Sequence, residues 1–144
     1  MKVDFWQLSA SSVEQVVALI APRVLREGSR LLVVHEDEAR RDALSDALWS
    51  NQPEEFLANG IVGAGHEARQ PILISQACEP LNSADHVVFA DGKWRAPSGF
   101  ARAFLLFDDA TVEAARACWS ALGKEAGLER SFYRQDGGKW ARIA

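Results

Sequence analysis

His35-Glu36-Asp37-Glu38 closes an apolar run with an imidazole and three carboxylates, residue types that serve metal binding or acid–base work. The end of such a run is where α/β sheets hold ligands. The same acids also satisfy the free N–H groups and the positive dipole at a helix start with no further role. Capping is the reading that the spacing favours, and Asp108-Asp109 has the same helix-opening character. No second cluster of His, Asp or Glu supplies remaining ligands at recognisable spacing, so no metal is expected.

Gly60 to Gly65 spells G-x-x-G-x-G. A dinucleotide fingerprint needs G-x-G-x-x-G between a strand and a helix, and a Walker A loop ends in Gly-Lys-Ser/Thr where this chain has His66-Glu67. The segment is therefore expected to be loop, without a phosphate-binding role. Ser75, Ser98, Cys78 and Cys118 are the possible nucleophiles, and none lies in a G-x-S-x-G elbow or beside a base. His66 falls in a loop and His86 begins a strand, where a structural role is the simpler account. No catalytic constellation emerges, and no catalytic residue or cofactor is expected.

The aromatic residues carry more. Trp49 ends a helical pattern and Phe56 follows across Pro53; the pair is either core filling or an exposed contact surface. Arg116 and Trp119 are three apart on a helical pattern and share a face. An arginine lying over a core tryptophan explains them, and so does a receptor for a carboxylate with an adjacent ring; unaided, the first is the simpler.

The elements that must position these residues follow from periodicity. Lys2 to Leu8 is strand-like, and Ser11 or Ser12 caps a helix whose Val13, Val16, Val17, Ile20 and Val24 recur at helical spacing until Gly28. Pro22 falls inside that pattern and should bend it. Arg30 to His35 is a near-continuous apolar run, as in a strand covered on both faces, and a second helix runs from Glu36-Asp37-Glu38 to Trp49. A short element with Glu54, Glu55, Phe56 and Leu57 precedes the glycine loop. Strands are expected over 71–75, 86–90 and 103–107, a helix over about 110–125, and a closing hairpin over 131–143 around Asp136-Gly137-Gly138. The order predicts an α/β fold: one three-layer domain over residues 1–144, with helices on both faces of a mostly parallel sheet, Rossmann-like but lacking a phosphate-binding loop.

Composition agrees. With 144 residues, 48% of them hydrophobic, the chain has the core-forming capacity of one ordinary soluble domain. Cys78 and Cys118 form no CxxC, which fits a reducing cytoplasm, and neither a leader nor a membrane span is expected. Residues 1–92 carry a net charge of −7 and residues 93–144 one of +3. An acidic chain suits nonspecific duplex binding poorly, while its basic last third suits a pocket for an acidic peptide.

The run Leu31-Leu32-Val33-Val34-His35-Glu36-Asp37-Glu38, then Leu44-Ser45-Asp46-Ala47-Leu48-Trp49, then Glu55-Phe56-Leu57 resembles the chi subunit family of bacterial DNA polymerase III. The later Phe107-Asp108-Asp109 helix start and the closing Trp140 are similar too. Two departures are Ala58-Asn59, where the family often has Pro-His, and the short segment between Gly65 and Pro71. The resemblance implies a non-enzymatic α/β clamp-loader accessory protein of the cytoplasm, at the nucleoid-associated replisome, without cofactor. Its implied partners are the psi subunit and the acidic C-terminal tail of single-stranded DNA-binding protein, with DNA reached only indirectly. By position, Trp49 and Phe56 match the psi-facing aromatic pair, and Arg116 and Trp119 the tail pocket. Val112 stands where the family has a lysine, and Lys124 is the substitute that the sequence offers.

Two other classes compete: a small nucleotide- or metal-dependent enzyme using His35, Glu36 and Asp37, and a direct single-stranded DNA binder using aromatic residues and arginines. The missing phosphate loop weighs against the first and net acidity against the second.

Overall fold

The structure is a computed structural model and describes residues 1–51 and 56–144. Among the described residues eight strands form one sheet: β1 (Lys2–Gln7), β2 (Leu31–Val34), β3 (Asn59–Ile61), β4 (Ile72–Ser75), β5 (His86–Phe89), β6 (Arg102–Phe107), β7 (Glu129–Asp136) and β8 (Lys139–Arg142). Their order is β3-β4-β2-β5-β6-β1-β7-β8. Every neighbouring pair is parallel except β7 and β8, which form the expected antiparallel hairpin. The continuous apolar runs have the predicted outcome, since all four residues of β2, β4 and β5 are buried.

Among the described residues three α-helices cover the sheet: α1 (Val13–Arg26), α2 (Glu38–Ser50) and α3 (Val112–Leu122). Val16, Val17, Ile20 and Val24 of α1 join Leu44 and Leu48 of α2 in one core layer. Ala115 and Leu122 of α3 belong to a second layer with Val3, Phe5, Val87 and Leu105. The architecture is thus α/β in three layers, with two helices on one face and one on the other.

Local chemistry sets the helix ends. Ser12 caps α1 in a reciprocal pair with Gln15, each side chain taking the other's backbone N–H. Asp37 caps α2 by accepting from the Ala39 N–H at 2.9 Å. Helix α1 runs through Pro22, whose ring is buried, so apolar burial offsets the hydrogen bond that the imide removes. At α3 the acidic pair does not open the helix directly: Asp108 accepts from the Ala110 N–H, and Thr111 holds the N-cap position.

Three expectations need correction. The glycine segment was expected to be loop throughout, but Asn59–Ile61 pairs with β4 as an edge strand, because Gly60 accommodates the close approach of the Gln70 side chain. Helix α3 stops at Leu122, not near residue 125, with Gly123 at its C-cap, so Lys124 lies in the following turn and not on the helix. Of the short element expected around Glu54 and Glu55, residues 52–55 lie outside the described residues, and Phe56 enters β3 through irregular backbone.

Candidate functional site

Trp119, on the inner edge of α3, is half-buried, and two rings meet it edge to face: Phe5 at 5.2 Å and Phe132 at 5.6 Å between centroids. Phe5 lies on β1 and Phe132 on its neighbour β7, in register with each other, so pairing of these strands builds the aromatic floor. The cation on this indole is Arg130 of β7, whose guanidinium carbon lies 3.9 Å from the ring centre. Its Nη1 also donates to the Trp119 carbonyl at 2.6 Å. Gly123 makes room for it, since a Cβ there would come within 2.7 Å of Nη2.

Arg116, one turn earlier, is exposed and has no ion-pair partner among the described residues. Val112 is packed against the core layer on this face, so no lysine stands one turn before Arg116. Lys124 is exposed in the turn after α3. Sequence spacing placed Arg116 beside Trp119 but missed Arg130, which is eleven residues away along the chain and adjacent only through sheet register.

The second aromatic pair is exposed. Trp49 is 54% accessible and Phe56 is 81%, while their neighbours Leu48 and Leu57 are buried. Core filling is therefore not their role. No ring contact joins the two among the described residues. The backbone that presents Phe56 is clamped: Ser45 Oγ of α2 donates to Asn59 Oδ1 at 2.6 Å, and Asn59 Nδ2 donates to the Leu57 carbonyl. Phe56 itself sits at φ 49°, in the left-handed region that a bulky residue rarely adopts.

At the C-terminal edge of the sheet the fold leaves a cleft of about 350 Å³ lined by Leu8, Ser11, His35, Asp91, Asp108 and Thr111. This is where a nucleotide or metal site using His35, Glu36 and Asp37 would lie. Those residues have other partners. His35 Nδ1 accepts from the Asp37 N–H, Asp37 caps α2, and Glu36 pairs with Lys93 at 2.6 Å. Burial pushes the His35 imidazole below its ordinary value, against the pull of Asp91 and Asp37. Asp91 accepts from the Glu36 and Lys93 N–H groups and is paired with Arg95.

The turn between β1 and α1, where a phosphate loop would sit, is filled from within. The N–H groups of Ser9, Ala10 and Ser11 all donate to Gln135 Oε1, at 3.1, 3.0 and 3.0 Å. Gln135 Nε2 donates to Ser11 Oγ at 2.8 Å, and Ser9 Oγ donates to the Gln135 carbonyl. Among the described residues no group of three or more His, Cys, Asp or Glu is placed to hold a metal. Burial raises both thiols, Cys118 to about 11 and Cys78 to a lesser extent, so neither is a ready thiolate. His86 is buried with Nδ1 2.9 Å from Asp85 Oδ1, a structural placement as expected. Among the described residues no helix is long and apolar enough to cross a membrane.

Residues 1–130 match the family described as DNA polymerase III chi subunit, HolC. The DNA polymerase III subunit chi of Escherichia coli (strain K12) is 37% identical over 65 residues, which are 45% of this chain and 44% of that protein. Its namesake from Haemophilus influenzae is 30% identical over 64 residues, 44% of each chain. The matched stretches thus span less than half the length of these relatives.

Proposed function

The chain belongs to the DNA polymerase III chi subunit family, and on that footing we propose that it is a non-catalytic replication accessory subunit, a single domain over residues 1–144. In this reading it links the clamp loader, through the psi subunit, to the acidic C-terminal tail of single-stranded DNA-binding protein. It works in the cytoplasm at the replisome, reaches DNA only through these partners, and needs neither cofactor nor metal.

The observation that carries the tail-binding half is the exposed Arg116, without an ion-pair partner among the described residues, on the same helix as Trp119, an indole backed by Arg130. A tail that ends in acidic residues, a Pro-Phe pair and a free carboxylate needs a guanidinium fork for the terminus and an apolar wall for the ring. Arg116 supplies the fork and Trp119 the wall. Because one face of the indole is already stacked on Arg130, the ligand ring meets what the stack leaves open. Arg130 also adds positive charge in place of the lysine that Val112 replaces, with Lys124 nearby in sequence as a further cation. The exposed Trp49 and Phe56 support the psi-facing half, since two large aromatic side chains left in water favour association.

Calorimetric titration with a synthetic acidic peptide ending in Pro-Phe tests the reading. Binding is expected, and Arg116→Ala should weaken it by about tenfold, the scale of one charge-assisted contact. Binding unchanged by that substitution would remove Arg116 from the site, and no binding at all would remove the site.

A further inference from the structure

Alternate residues of a strand share one side of the sheet, and the contacts of Arg130 and Phe132 with Trp119 show that the even-numbered residues of β7 face α3. Arg134 therefore projects from the same face. Residues directly opposite in an antiparallel pair lie on one side, so register sets Ala141 of β8 beside Arg134, and Lys139 beside Asp136. Ile143 follows beside Phe132, to whose carbonyl its N–H donates at 2.8 Å. Tyr133 and Trp140 turn to the other face, where they pack on Trp6. Helix α3 leaves the outer part of its own face open: Arg134, Lys139, Ala141 and Ile143 are all exposed.

This open strip is amphipathic along its length. The end beside Trp119 is apolar, with the half-buried Phe132 and Ile143 at 50% exposure. The far end is basic, with Arg134 and Lys139, neither of which has an ion-pair partner among the described residues. Against Arg116, Arg130, Arg134 and Lys139 stand Asp136 on the hairpin and Glu113 on α3, so the surface is net positive. We propose that the strip takes the acidic run that precedes the terminal Pro-Phe of the bound tail, with Arg134 and Lys139 as the cations that meet it.

The inference rests on the tail-binding reading and extends it from one ring and one carboxylate to the residues before them. Its ground is the order of chemistry along the strip. From Phe132 to Arg134, and again to the Asp136–Lys139 row, the face advances by two residues, about 7 Å, which is also the repeat of alternate residues in an extended peptide. With the terminal ring at Trp119 and Phe132, acids a few residues upstream come over Arg134 and Lys139. Ring and free carboxylate are common to every chain that ends in Phe. The basic end is what distinguishes an acidic tail from the others.

Calorimetric titration of the full chain with two synthetic peptides separates the claims: one is acidic and ends in Pro-Phe, the other has its acidic side chains replaced by the matching amides. Arg134→Ala and Lys139→Ala should each weaken the acidic peptide by about two- to fivefold, the scale of one exposed charge contact, and leave the amide peptide unchanged. Arg116→Ala should weaken both peptides. Arg134→Lys, which keeps the charge, should keep most of the affinity. Both hairpin side chains are exposed, so melting temperatures should stay at the wild-type value. Acidic-peptide affinity that survives the double substitution of Arg134 and Lys139 by alanine overturns this inference and leaves the ring-and-carboxylate site standing. Failure of both peptides to bind overturns the two together. A dimer of the free chain in sedimentation, lost in the double variant, would give the strip to a second copy and likewise overturn it.

Discussion

The Arg130 guanidinium packs 3.9 Å from the centre of the Trp119 ring while its Nη1 holds that residue's carbonyl. One side chain thus fixes both the indole plane and the end of the helix that carries it. Arg130→Ala should lower stability by about 1–2 kcal/mol, the sum of a cation–π contact and a carbonyl hydrogen bond. Urea unfolding measures this loss. Gly123→Ala is the gentler probe: its backbone is helical and tolerates alanine, but the new Cβ displaces the guanidinium. Peptide affinity should fall in both variants, and a Gly123→Ala protein that binds like wild type would show that the stack does not shape the site.

Salt should separate the two surfaces. The proposed tail contact would rest on exposed charge and should weaken steeply as ionic strength rises, whereas the proposed psi contact through the exposed Trp49 and Phe56 would bury apolar area and should tolerate salt. Titrations of the peptide and of purified psi between about 50 and 500 mM salt, spanning a Debye length that shrinks from over 10 Å to a few, compare the slopes. Equal slopes would contradict the division of labour.

Trp49→Ala and Phe56→Ala should abolish co-purification with psi while changing stability by less than about 1 kcal/mol, because both side chains are exposed. Circular dichroism and thermal melts check the second half of that expectation. Phe56→Gly is expected to be neutral or stabilising for the fold, since the φ of 49° strains any side chain there.

Gln135→Ala leaves three backbone N–H groups without their shared acceptor and should cost about 2–3 kcal/mol. Hydrogen exchange should locate the loosening at residues 9–11, far from the substitution in sequence. Loss confined to the hairpin would mean that the loop finds water instead.

Burial alone would raise the Asp91 carboxyl, but the hydrogen bonds and charge of Arg95, with the Lys93 and Glu36 N–H groups, outweigh it and hold the group below its ordinary 3.8. A carboxylate depressed in the folded state stabilises above its unfolded value, and that contribution is lost as pH falls through the folded one. Stability should therefore decline below about pH 4. In Arg95→Ala the opposing burial pushes the Asp91 carboxyl upward, so this acid-side loss should shrink or reverse. Carboxyl carbon shifts followed through an acid titration report the Asp91 value directly.

The sheet was legible where burial on both faces writes an unbroken apolar run, as in Leu31–Val34 and Ile72–Ser75. Asn59–Ile61 escaped because three residues with a central glycine carry no periodicity, and only the neighbour β4 makes them a strand. Trp119 was found through helical spacing, a local signal. Arg130 was not, because it reaches the indole through the placement of β7 beside β1, a long-range pairing that no local pattern encodes. Gln135 was missed for the same reason: its three donors lie more than 120 residues away.

The position of β1 between β6 and β7 has a consequence for biosynthesis. Strand β1 is made before both of its sheet neighbours, which follow residue 100, so a nascent chain exposes Phe5 and Trp6 until those later strands are made. Such a sheet acquires its middle late, and chaperones that shield apolar nascent segments would hold the chain longest at β1. In ribosome-arrested chains, residues 2–7 should resist protease only once residue 136 has cleared the exit tunnel.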